Sequence, residues 1–81
     1  MSFCGVLSRE LYRKRKALCW TQQDVADKVG ISVRWYQQLE KGSHTPSALT
    51  MMRLVLVLDI SVEVFRKPLG LQHPSQTENE R

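Results

Sequence analysis

Histidine, cysteine, proline and glycine are all scarce in this 81-residue chain, at two, two, three and four copies. Two cysteines, Cys4 and Cys19, cannot make a disulfide framework, and no CxxC occurs. Both are read as reduced thiols. With His44 and His73 they give four candidate metal ligands, but the spacing matches no common zinc pattern. No metal and no cofactor is therefore expected. No Ser/His/Asp or Cys/His set can be assembled, and no Gly-rich phosphate loop is present, so an enzyme is not expected. No apolar run reaches membrane-spanning length. The start, MSFCGVLSRE, has no basic segment followed by an apolar core, so no signal peptide is read. The expectation is a cytoplasmic protein.

What is present is ordinary for a small globular domain. Hydrophobic residues make up 42% and charged residues 25%. The length allows one modest core, marginal enough that oligomerisation would help. The formal net charge is +4, and Arg9, Arg13, Lys14, Arg15 and Lys16 are clustered. Such a cluster attracts phosphates. It also fits a solvated helix face or, without large apolar anchors opposite, a poor membrane-surface helix.

The chain is organised around residues 21–42, TQQDVADKVGISVRWYQQLEKG. Thr21 can cap a helix, with Asp24 as its capping-box partner. Trp20 and Val25 stand at hydrophobic-staple spacing. Gly30 supplies a left-handed stop. Ser32 can cap a second helix, Ile31 and Tyr36 repeat the staple, and Gly42 ends it. Val25, Ala26 and Val29 share an inward face, as do Tyr36 and Leu39. Two short helices and a tight turn make either a helical hairpin or the unit that places its second helix in a DNA major groove.

These residues resemble the Cro/repressor-type helix-turn-helix domain, the XRE family. Gln22, Ala26, Gly30, Ser32, Leu39, Glu40 and Gly42 fall at that family's positions, with Leu39 for Ile. The Val25-Ala26-Asp27-Lys28 run and the Pro46-Ser47 step keep its order and spacing, and the likeness spans about residues 7–65. Cys19 stands where the family usually has Gly, Lys14 where it has an apolar residue, and Tyr36 where it has a branched aliphatic one. The resemblance implies an all-α, five-helix repressor-like domain over residues 1–67. It also implies a pair between Arg15 and Glu40.

Around the central unit, residues 1–6 read as a loosely held leader. Residues 7–18 read as the first helix, with Leu7, Leu11 and Leu18 on one face. Residues 42–46 form a loop. The run MMRLVLVLDI could be a buried strand by composition, but the Pro46-Ser47 start and the helical context favour a helix to about residue 58. Met51, Leu54, Val55 and Leu58 make one stripe; Leu49, Met52 and Leu56 make a second. The second stripe needs another subunit, or cover from the last helix and the tail. That last helix spans about residues 62–67. Ser61 can cap it, Ile60 and Phe65 staple it, and Pro68 stops it. Residues 68–81 are polar and read as a disordered tail.

The function implied by the resemblance is sequence-specific binding of double-stranded DNA by a transcriptional regulator, commonly a homodimeric repressor. Val33, Arg34, Gln37 and Gln38 carry over as base-contacting residues. Arginine suits guanine and glutamine suits adenine. Gln22, Ser43, His44, Thr45 and Arg13 are the phosphate candidates. Leu49, Met52, Leu56 and Phe65 are the dimer candidates. Trp35 either lies on the sugar-phosphate backbone or packs on the following loop. The competing class is a protein-interaction module, such as an antitoxin or adaptor, holding a protein partner on the second stripe.

Overall fold

The computed structural model describes residues 2–71. Among them the order is α1 (Phe3–Ala17), α2 (Gln22–Val29), α3 (Val33–Lys41), α4 (Ala48–Leu58), a one-turn 3-10 helix (Val62–Phe65) and α5 (Arg66–Leu69). The fold is all-helical. Each of the first four helices starts on a serine or threonine whose oxygen accepts a backbone N–H of the first turn, satisfying a donor with no intrahelical partner. At Thr21 the bond is reciprocal: Asp24 accepts from the Thr21 N–H at 2.8 Å and donates its own N–H to Thr21 at 3.0 Å.

Gly30 turns the chain between α2 and α3. Its φ of +86° is left-handed, and its N–H reaches the Ala26 carbonyl at 2.8 Å. Gly42 performs the same stop after α3 at φ +81°. A Cβ there would also press on the Ser8 side chain at 3.3 Å, so α1 and the end of α3 approach closely. Cys19 takes φ +58° at the turn before α2, a conformation glycine adopts freely and cysteine does not.

α3 packs between α1 and α2, while α4 lies against α2 and α1. Leu7, Leu11, Val25, Ala26, Tyr36, Leu39 and Leu54 have no measurable exposure and form the centre of the core. Burial of each large aliphatic side chain contributes about 1.5–3 kcal/mol.

Four expectations change. The leader is part of α1: Ser2 caps the helix, and the Phe3 ring lies 5.1 Å from that of Phe65. Leu18 is exposed: it is the cap residue, one position beyond the end of α1 at Ala17. Pro68 lies inside α5, not after it. It stands in the first turn, where its missing N–H has no intrahelical acceptor to lose, and Gly70 ends the helix. Phe65, a dimer candidate, is buried at 4% exposure. It belongs to the buried core cluster and the Phe3 ring packs on it, so it is a core residue. Most of the expected tail, residues 72–81, lies outside the described residues.

Candidate nucleic-acid interface

The α2–α3 unit is held by one carboxylate. Glu40 sits one residue before the end of α3 and accepts four hydrogen bonds. Arg15 donates from Nε to Oε2 at 2.8 Å and from Nη2 to Oε1 at 2.9 Å. The Tyr36 hydroxyl donates to Oε2 at 2.6 Å, and Gln22 Nε2 donates to Oε1 at 2.9 Å. Arg15 further holds the Trp20 carbonyl at 3.1 Å, tying down the turn before α2. The Ser8 hydroxyl donates to the Glu40 backbone carbonyl. One acid therefore fastens α1, α2 and α3 together.

Its ionisation follows from these bonds. Burial pushes the Glu40 carboxyl up, but donation from Arg15, Tyr36 and Gln22 outweighs burial and holds it below the usual carboxylate range. Hydrogen bonding to Glu40 raises Arg15 further. Burial, and then Glu40, push the Tyr36 phenol well above its ordinary value. All three keep their neutral-pH charges. Tyr36 serves two roles at once. Its ring fills the core, and its hydroxyl, four residues before Glu40, meets the carboxylate on the same helix face.

Val33, Arg34, Gln37 and Gln38 all lie on α3. Arg34 and Gln37 are exposed, whereas Val33 and Gln38 are half-buried. Val33 packs against the core, which leaves it little to present outward. Gln37 donates from Nε2 to Gln22 Oε1 at 3.1 Å, so a phosphate candidate and a base candidate are joined. Both line an open cleft with Tyr12 and Lys41. On the other flank the Ser43 hydroxyl lies 3.1 Å from both the carbonyl oxygen and Oε1 of Gln38, and His44 Nδ1 lies 3.2 Å from Ser43 Oγ. The His44 ring stands edge-on to Trp35, with centroids 5.3 Å apart. This contact places Trp35 against the loop. Thr45 meets the Cys4 thiol at 3.1 Å, so the start of α1 holds the same loop. Ser43, His44 and Thr45 all remain exposed.

Arg13 bonds to Glu10 on α1 at 2.8 Å and to none of the other candidates. Tyr12 was missed by the sequence reading. It is exposed, with the Arg15 guanidinium 5.5 Å and the Lys16 amine 5.8 Å from its ring centre. The i, i+4 spacing to Lys16 was its only signal. The Gln22–Gln37 bond was missed too, because it crosses between helices and no periodicity reports it.

Leu49, Met52 and Leu56 are 61%, 57% and 74% exposed on α4, and nothing among the described residues covers them. No described helix is long and apolar enough to cross a membrane.

A helix-turn-helix family model matches residues 11–65, more than half the chain. The chain is 36% identical over 62 residues to an uncharacterised HTH-type transcriptional regulator, YqaE, of Bacillus subtilis, covering 76% of this chain and 53% of the relative. It is 32% identical over 57 residues to the cryptic phage CTXphi transcriptional repressor RstR of Vibrio cholerae, covering 70% and 51%. The chain thus spans about half the length of these curated relatives. No solved structure matches. With a capped α2, a left-handed glycine turn and an α3 fixed by the Arg15–Glu40 pair, the chain belongs to the Cro/repressor-type (XRE) helix-turn-helix family.

Proposed function

We propose that this chain is a sequence-specific DNA-binding transcriptional regulator, acting as a homodimeric repressor that reads the major groove with α3. The observation that carries the reading is the exposed Arg34 at the second position of α3, on a helix held rigidly by the Glu40 hub. Side chains there project past the helix end, where a groove would lie. The α3–α4 loop offers Ser43, His44 and Thr45 to phosphates on one side. Gln22, bonded to Gln37 at the cleft, does so on the other, and Arg13 on α1 is a further phosphate candidate. The names of the relatives, a regulator and a repressor, support this over the protein-interaction reading. Leu49, Met52 and Leu56 form the proposed dimer face, and two copies would meet half-sites about 34–36 Å apart.

The test is to titrate wild type and Arg34→Ala against a preferred site, its single-base variants and a range of salt. Arg34→Ala is expected to cost about 1–3 kcal/mol and to relax preference at one base pair per half-site. Wild-type affinity should fall with salt at a log–log slope of about −0.9 per phosphate neutralised. A flat salt response rules out the DNA reading. Uniform weakening with preference intact moves Arg34 to a phosphate role.

A further inference from the structure

The hydrogen-bond polarity of the exposed glutamine on α3 is dictated from inside the protein. Glu40 is ionised at neutral pH, and a carboxylate only accepts. Each of its oxygens takes two donors, one pair from Arg15 Nε and Tyr36 at Oε2, the other from Arg15 Nη2 and Gln22 at Oε1. Gln22 must therefore turn its amide nitrogen toward Glu40. That leaves Gln22 Oε1, an acceptor, facing Gln37. Gln37 must answer with its own amide nitrogen, 3.1 Å away. The usual freedom of an amide to swap its two ends is removed at both residues.

We propose that this relay makes Gln37 a selector for adenine over guanine at one base pair of each half-site. Resting on the DNA reading above, it names the base and the residues that set it. Guanine shows two acceptors in the major groove, N7 and O6, and a glutamine binds both only by giving both amide hydrogens. One hydrogen of Gln37 is already committed to Gln22. What remains outward is a carbonyl oxygen and a single N–H. That pair matches the N6 donor and N7 acceptor of adenine. Glu40 and Gln22 are the positioning residues. Gln38 has no such constraint, since Ser43 can both give and take a hydrogen bond and its hydroxyl lies as near the Gln38 carbonyl as Oε1.

The experiment is selection of bound duplexes from random DNA by wild type, Gln37→Ala, Gln22→Leu and Gln37→Glu, with folding of each checked by circular dichroism. Gln37→Ala identifies the position it reads. There wild type should favour adenine over guanine by about tenfold or more, the range a bidentate contact gives. Gln22→Leu frees the second hydrogen, so the adenine-to-guanine ratio should fall several-fold at that position alone. A general loss of phosphate affinity would not change that ratio. Gln37→Glu, which only accepts, should bind more weakly everywhere yet still reject guanine. A wild-type preference for guanine there, a ratio unmoved by Gln22→Leu, or guanine accepted by Gln37→Glu each overturns the proposal while leaving DNA binding intact. If wild type enriches no motif, the DNA reading falls and this inference with it.

Discussion

The Glu40 hub and the outer face of α4 invert the ordinary distribution of side chains in opposite ways. At the hub, charged and polar groups are withdrawn from water: the Arg15 and Glu40 side chains keep only 10% and 8% exposure. On α4, leucines and a methionine are left in it. The hub is tolerable because every lone pair of the carboxylate is used, and an ion pair satisfied in this way fixes geometry even where its net energy is small. The α4 face has no such completion within the described residues. Large apolar side chains gathered on one helix face mark a surface that another molecule covers. The contrast implies a division of labour. The hub should matter to folding and to the aim of α3. The α4 face should matter to assembly and hardly to folding.

The strongest way to break that division is Glu40→Ala. It strands the Arg15 guanidinium and leaves the Tyr36 hydroxyl and the Gln22 amide without their acceptor. Breaking a buried pair in this way costs about 3–5 kcal/mol, to be read from urea unfolding of the variant against wild type. A loss under about 1 kcal/mol would mean that the hub only decorates a core already fixed by packing.

Next in size is Leu56→Glu. A charge placed in the proposed interface should weaken dimerisation by about 2 kcal/mol or more, seen as monomers in sedimentation equilibrium. Its unfolding free energy as a monomer should stay within about 0.5 kcal/mol of wild type, as for an exposed site. A variant that remains dimeric places the interface elsewhere. One that unfolds shows α4 to be covered from within the chain.

A more graded effect is expected from acid. The Glu40 carboxyl lies below its unfolded value, so the unfolded chain takes up that proton first as pH falls. The hub's contribution is complete above the unfolded carboxylate value of about 4.3 and is lost as pH drops through the folded one. Urea midpoints measured from neutral pH to about pH 3 should fall accordingly. Glu40→Gln should flatten part of that decline. A residual slope of the same sign should remain from Asp24, whose carboxyl is held low by the Thr21 backbone N–H and then the Thr21 side chain.

Much of the helical skeleton was legible in the sequence, and for a physical reason. Caps and staples are local: Thr21, Ser32 and Ser47 each declare a helix start within four residues, and each is found capping. Gly30 and Gly42 declare the stops in the same way. The inward faces of α2 and α3 were legible as periodicity, and the Arg15–Glu40 pair through family likeness. What was not legible depends on residues far apart in the chain. Phe65 is a core residue because Phe3 covers it, and Phe3 could not be placed without knowing that α1 begins at once. Lone exposure on a short stripe could not separate Phe65 from Leu56. The Gln22–Gln37 bond joins two positions that a sequence lists under different roles, and only the crossing of α2 and α3 makes them partners.

The proposed activity is sequence reading by α3 in a symmetric dimer. The most direct measurement is selection of duplexes bound by the wild-type chain from a random pool, followed by alignment of the enriched sites. The expected result is a single motif made of two inverted half-sites about one helical turn, or roughly 34–36 Å, apart. A pool that enriches no sequence, or only a single unpaired half-site, would contradict it.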